Sequence, residues 1–558
     1  MKAWYVQKRF DILFVLLMFC VACHGISKSY GFYFPADEFG YWSHAARLAG
    51  YDWSDIESLS SYYSYGYSLI LLPVFLVFKD GVIAYRAALF VNFVLLAVCF
   101  FILQKMGKTL SAAVAAFYPT WLFYAGTTFA EILLVTLYLV ICLLLLRYLQ
   151  TDNKVYVVSM IAVIFYMYLV HLRAVGVLVS GIAVLLIYSL RNAGRKVKCV
   201  LALTVTAAVI LAAGLFIWLY LTGLFSEDPQ DALKNVNDYA GQIGKVVYIF
   251  SGEGLKNLFI SVSGKVLYLG LASFGIAYFG IIYAVKRARE KDYFSLFVLF
   301  STVAALMICA IYTIRPGRVD TLTYGRYHEY VMPVLLLMGI RELRGRKVSA
   351  GKTVCTIAVM LVLEAVMTGL VTLSLKENGQ TAFFGNTICG ISWLYNPEDF
   401  EPVAYYWKTY LTSAAMTVMI CMGIWWIGMQ KGRELLLMVL VTVQVVISIH
   451  LSSIYIDASR LGCFRDTMLR DVLYELNSDG GREVYYSTEG EAFGNIGILQ
   501  FMMRDTPIHI VKKDYDLGSQ KEEDLLLIDF RSDQGQELEE KYNMHLTSGH
   551  FTLYYNEW

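Results

Sequence analysis

Apolar runs of about 20 residues recur between residues 11 and 456, and one such run, as a helix, matches the hydrocarbon core of a bilayer. Repetition of that unit leaves little room for a soluble fold. The chain is 16% charged, where a soluble chain carries about 25%. Spans are expected near 11–27, 82–104, 109–126, 129–147, 155–171, 174–190, 199–221, 264–285, 293–314, 327–340, 353–375, 408–429 and 435–456. The expected fold class is an α-helical polytopic membrane protein with about thirteen transmembrane helices. Nothing before Ser27 resembles a small-x-small cleavage site, so the first segment is read as an uncleaved span.

The connections sort by charge. Lys2, Lys8 and Arg9, then Lys105 and Lys108, Arg147 and Lys154, and Arg191, Arg195, Lys196 and Lys198 mark every second one. Lys286 to Lys291, Arg341 to Lys352, and Lys431 with Arg433 continue the series. The positive-inside rule makes these ends cytoplasmic, which puts the N-terminus inside and the C-terminus outside a plasma membrane. The outward connections are longer and more acidic: 28–81, 222–263 and 376–407. Within the first, Tyr67–Phe78 is too short to span and reads as a juxtamembrane helix broken at Pro73.

Past residue 457 charged residues become frequent and apolar runs shorten to strand length, at 483–486, 508–511, 525–530 and 551–555, with a helix expected at 493–503. The expected organisation is therefore a membrane domain, 1–456, containing a catalytic first outer loop, 28–81, and a small extracytoplasmic α/β domain, 457–558. Net charge of +1 argues against a nucleic-acid partner. The ten cysteines show no disulfide framework, and Cys20 and Cys23 read as two buried thiols on one helical face.

Ionisable residues at the outer edge carry the chemistry. Asp37-Glu38 follows the first span in Phe34-Pro35-Ala36-Asp37-Glu38, and a carboxylate pair at a bilayer edge is costly unless it has a task. In a helix Asp37, Tyr41 and His44 share a face, while first-turn acids on an ordinary surface helix would show the same spacing. A carboxylate here suits a general base acting on an acceptor hydroxyl or amine. Arg86, Arg173, Arg315, Arg318 and Arg326 lie on the outer side against the topogenic bias, and guanidinium groups suit a phosphate leaving group. Snorkelling or pairing with an acid is the plainer reading of each. Glu131 opens the fourth span and suits orienting a base, binding acceptor, or capping the helix. Glu364 sits mid-span, where it is expected protonated or paired in a structural role. Tyr62, Tyr63, Tyr65 and Tyr67 serve interfacial anchoring or stacking on sugar rings.

Taken in order, Asp37-Glu38, Arg86 after the Tyr-rich helix, Glu131, and Arg326-Tyr327 followed by Pro333 resemble the GT-C glycosyltransferases, in particular protein O-mannosyltransferases and bacterial aminoarabinose transferases. The resemblance implies inverting transfer of a sugar from a polyprenyl-phosphate donor to an extracytoplasmic protein, lipid or glycan, within membrane lipid. It implies Asp37 as base, Glu38 as acceptor ligand or second base, and Arg86 and Arg326, with Arg173, on the phosphate. Glu131, Tyr327, Tyr41 and His44 complete the expected substrate-binding set. Oligosaccharyltransferases of this architecture carry Trp-Trp-Asp in the C-terminal domain; here Trp425-Trp426 is intramembrane and followed by Ile427, so no metal cofactor is expected. The alternative is a lipid-linked sugar or polysaccharide transporter without chemistry, which predicts ionisable residues spread through the midplane.

Overall fold

In this computed structural model the described residues are 2–58, 63–191, 207, 239–314, 321–345, 349–379, 387–394, 402–429, 435–478, 481–488, 495–512, 524–532 and 538–556. Among them, eight helices are long and apolar enough to cross a membrane, or nine if one bent pair counts as a single span. They are 10–27, 81–106, 131–151, 172–191, 293–313, 350–377, 403–427 and 435–457. The expected count of thirteen is not confirmed among the described residues, for local reasons. Residues 109–126 form two short helices, α6 (Thr109–Ala116) and α7 (Pro119–Ala125), the second opened by Pro119. Helix α9 (Lys154–Val170) has 17 residues. Residues 264–285 fall across the bent pair Gly252–Ser273 and Ile276–Arg289, turned by 110° where Phe274 and Gly275 both take positive φ. Residues 332–345 make a helix of 14 residues, and 199–221 lies, Ala207 apart, outside the described residues.

Packing divides the chain into two compact units. Unit 1 comprises Met1–Leu16, Leu95–Phe123 and Glu131–Leu451. Helices 276–289 and 332–345 pack closely there because glycine faces backbone on both sides. A Cβ on Gly280 would meet the Leu335 carbonyl oxygen at 2.2 Å, and one on Gly339 the Ile276 carbonyl oxygen at 2.0 Å. Glu364, in helix 350–377, is buried against Gly270, where an added Cβ would meet its Oε1 at 2.2 Å. Among the described residues neither of its carboxylate oxygens has a hydrogen-bond partner.

Unit 2 comprises Leu17–Val94, Tyr124–Ala130 and Ser452–Trp558. Its sheet has strand order β2-β1-β3-β5-β4, with β1 (Val484–Thr488), β2 (Ile508–Lys512), β3 (Leu525–Asp529), β4 (Met544–Ser548) and β5 (Phe551–Tyr555). β1 runs parallel to β2 and β3; β5 runs antiparallel to β3 and β4. The unexpected strand is β4, a half-polar edge whose residues alternate toward solvent. The expected helix between β1 and β2 is Ile496–Met502. Phe501 on it packs against Phe32 and Trp42, at centroid distances of 4.8 and 4.7 Å. Beyond it, the Arg504 carbonyl accepts from Trp53 Nε1 at 3.0 Å, and Arg504 Nη1 donates to the Phe75 and Phe78 carbonyls at 2.8 Å each. These carbonyls close α4 (Tyr65–Val77), which continues through Pro73 instead of breaking there. The C-terminal region thus braces the first loop from several directions within unit 2. Cys20 and Cys23, expected to be buried, are exposed on α1 (Lys2–Ser27).

Candidate active site

The acidic pair opens α2 (Pro35–Leu48), with Pro35 in the first turn where its missing N–H costs nothing. The two acids then behave differently. Glu38 is fully buried and accepts five hydrogen bonds. Oε1 takes the backbone N–H groups of Tyr33 (2.8 Å) and Phe34 (3.1 Å). Oε2 takes Tyr85 Oη (2.8 Å), the Thr128 N–H (2.8 Å) and Thr128 Oγ1 (2.6 Å). The carboxylate therefore ties the start of α2 to α5 (Gly81–Met106) and to the turn before residue 131. Burial raises its pKa above the usual carboxylate range, against the opposing pull of Thr128, Phe34 and Tyr85.

Asp37 is partly exposed and receives a short hydrogen bond from Tyr63 Oη. The face predicted to hold Asp37, Tyr41 and His44 exists, and all three meet Tyr63. Tyr41 packs edge-on against the Tyr63 ring at 4.9 Å, and His44 Nε2 lies 2.7 Å from the Tyr63 carbonyl. Gly40 makes this docking possible: a Cβ there would strike the Tyr63 ring at 2.0 Å. His44 is fixed in turn by Tyr65, stacked at 4.2 Å, and by Glu57, 2.9 Å from Nδ1. Arg47 holds the other Glu57 oxygen at 2.7 Å. Burial alone would raise the Glu57 pKa, but His44 and Arg47 outweigh it and hold it below its ordinary range.

Arg86 sits differently from the expectation of a phosphate ligand. Its Nε and Nη2 donate to the carbonyls of Ser29 (2.8 Å) and Ser27 (3.1 Å), so it caps the end of α1.

Unit 1 holds the second cluster. Glu131 opens α8 (Glu131–Thr151) and is buried between two buried arginines. Its Oε1 accepts from Arg326 Nε at 2.7 Å and from Arg173 Nη2 at 3.0 Å. Arg173 lies in the short turn between α9 and α10 (Val175–Arg191), its guanidinium 4.8 Å over the Tyr327 ring. The two guanidinium groups share one carboxylate oxygen in a desolvated place. Arg173 Nε has no partner among the described residues.

The segment carrying Arg326 is held by groups that sequence reasoning left unassigned. Gly325 and Arg326 donate their N–H groups to the Thr387 carbonyl at 2.8 and 3.1 Å, and a Cβ on Gly325 would strike the Tyr268 ring at 2.0 Å. Glu329 Oε1 accepts from Tyr268 (2.5 Å), Tyr118 (2.8 Å) and Thr120 (2.9 Å). Among the described residues, Glu329 Oε2 and Tyr330 Oη are buried without partners. Unsatisfied polar atoms in consecutive residues mark a place that water or ligand completes. Arg315 and Arg318 lie outside the described residues. Among those described, no three His, Cys, Asp or Glu side chains gather as a metal site.

No family model matches the chain, and no curated protein matches it at a significant level. Solved structures do match. ArnT from Cupriavidus metallidurans in the apo state is 14% identical, with a TM-score of 0.56 over 98% of each chain. The same protein bound to undecaprenyl phosphate is 14% identical, with a TM-score of 0.57 over 97% of each chain. Helical membrane spans, a small C-terminal sheet and this end-to-end match together give the chain an ArnT-like GT-C fold, in an integral membrane protein.

Proposed function

We propose that the chain is an inverting glycosyltransferase that moves a sugar from a polyprenyl-phosphate donor to an extracytoplasmic acceptor. The observation that carries this reading is the buried Arg173–Glu131–Arg326 cluster, two arginines on one carboxylate, in a fold whose solved relative binds undecaprenyl phosphate. Arginine forks fit a phosphate, and burial strengthens their pull on charge that grows as the bond breaks.

In this reading Asp37 is the base, kept in position by Tyr63. The acceptor O–H or N–H gives its proton to Asp37, and the O or N bonds to the anomeric carbon. The bond from that carbon to the phosphate oxygen breaks, and the phosphate leaves with both electrons toward Arg173 and Arg326. Tyr327, under the Arg173 guanidinium, keeps that fork in its plane. Glu38, saturated by five donors, positions the loop and does not touch the acceptor. The N-terminus is cytoplasmic and the 457–558 region extracytoplasmic, as the basic connections require.

The test is sugar transfer in membranes supplied with polyprenyl-phosphate sugar. Asp37→Asn lowers the rate by about 10²–10⁴ at normal protein level, and Arg326→Lys lowers it by about 10²–10³. Wild-type rates in both would overturn the assignment. The transporter reading gains less support, because among the described residues the ionisable clusters sit at helix ends, with Glu364 and Lys265 as buried mid-helix exceptions.

A further inference from the structure

A cavity of about 490 Å³ opens beside the start of α6, lined by Lys108, Ser111, Leu337, Arg341 and Arg344 among others. It lies within unit 1 and belongs to neither cluster described above. Three cations line it, and among the described lining residues none is acidic. The acid nearest in sequence, Glu342, is bonded to Lys286.

Lys108 and Arg341 are exposed at the mouth of the cavity. Arg341 Nη2 donates to the Met106 carbonyl at 2.7 Å, and its guanidinium lies 5.8 Å over the Tyr283 ring. Arg344 is half-buried and Ser111 buried. Lys108 is the N-cap of α6 and supplies no side-chain cap, so the first amides of that helix lack an intrahelical acceptor. An uncapped helix start, a hydroxyl and three cations around one hollow form the chemistry of an anion site. These residues belong to the basic connections that face the cytoplasm, where anionic lipid head groups are at hand.

We propose that this cavity binds a phosphate group, either that of an anionic phospholipid head group or free phosphate. The positive-inside bias asks only for charge near the membrane; it does not ask for a hollow with a helix start on its wall. The site is independent of the transfer chemistry and stands whether or not that reading holds.

The full chain in nanodiscs tests it. Thermal unfolding is followed in phosphatidylcholine alone, with phosphatidylglycerol added, and with inorganic phosphate added. Stabilisation by phosphatidylglycerol alone assigns a lipid head group, and stabilisation by phosphate in the neutral discs assigns the free anion. Arg344→Gln and Lys108→Gln each weaken the effective binding about fivefold. Arg289→Gln, also basic but not lining the cavity, leaves the response unchanged. Absence of a response to either addition overturns the proposal. So does an equal loss in Arg289→Gln, because bulk charge then explains the effect. The single neutral substitutions spare topology, and a variant that accumulates normally yet responds like wild type also overturns it.

Discussion

Glu38 and Glu131 are both buried carboxylates at the start of a helix, yet their surroundings oppose each other. Glu38 is met by five neutral donors, two phenol or hydroxyl groups and three backbone amides, and nothing of its capacity is left. Glu131 is met by two guanidinium groups. A carboxylate satisfied by neutral partners is a fastening. A carboxylate shared by two arginines orders cations. In the proposed reading, the difference separates an acid that shapes the first loop from one that orders the arginines of a phosphate site.

The largest expected effect is at Glu131. Replacing it with alanine removes a counter-charge from the buried Arg173 and Arg326, a loss of about 3–5 kcal/mol. If the cluster is an anion site, a phosphate can take the place of the missing carboxylate. Thermal unfolding of Glu131→Ala in nanodiscs is then restored by polyprenyl phosphate by more degrees than wild type gains. A variant that unfolds early and gains no more than wild type would make the cluster architecture alone, and the contrast with Glu38 would vanish.

Next comes Glu38→Gln, which turns one acceptor oxygen into an amide that faces donors, costing about 1–3 kcal/mol. The pH dependence sharpens the point. Burial raises Glu38 in the folded state, so the fold favours its protonated form. Its contribution to stability is full below the ordinary carboxylate pKa of about 4.3 and is lost as pH rises through the folded value. Glu57 is depressed by His44 and Arg47 despite its burial, so its contribution is full above that ordinary value and is lost as pH falls through the folded one. Unfolding profiles of Glu38→Gln and Glu57→Gln, each subtracted from wild type, therefore slope in opposite directions with pH. Slopes of the same sign would mean that donors and burial have been ranked wrongly at one of the two sites.

Much of this was legible in the chain, and the parts that were not share a cause. Hydropathy gave the long helices because a span of about 20 apolar residues has few other fates. It does not reveal where backbone geometry intervenes: Pro119 opening a short helix, or the positive φ of Phe274 and Gly275 bending one apolar run into two helices. The outer acids and arginines were visible because charge at a bilayer edge is rare. Their partners were not. Thr128, Tyr85, Tyr268 and Tyr118 are ordinary residues in apolar stretches, and only the fold brings them to Glu38 or Glu329. Arg86 misled for the same reason: its sidedness could be read, but the carbonyls of Ser27 and Ser29 that occupy it could not. Gly40 carried a signal that went unused, a glycine one turn after Asp37 on a helix, where only close approach of another group repays the loss of helix propensity.

The smallest expected effect tests the cationic cluster without removing a charge. Tyr327 lies under the Arg173 guanidinium at 4.8 Å, and His171, Tyr312 and Tyr324 pack around its ring. Tyr327→Phe keeps the ring and the packing; Tyr327→Leu removes the face on which the guanidinium rests, worth about 0.5–2 kcal/mol. If Arg173 holds donor phosphate, Tyr327→Leu raises KM for the polyprenyl-phosphate sugar several-fold while Tyr327→Phe stays near wild type. A loss confined to kcat, or equal in the two variants, would instead place Tyr327 at the reacting centre through its hydroxyl. The ring would then be more than a rest for the arginine, and the division of labour between the two carboxylates would have to include a phenol.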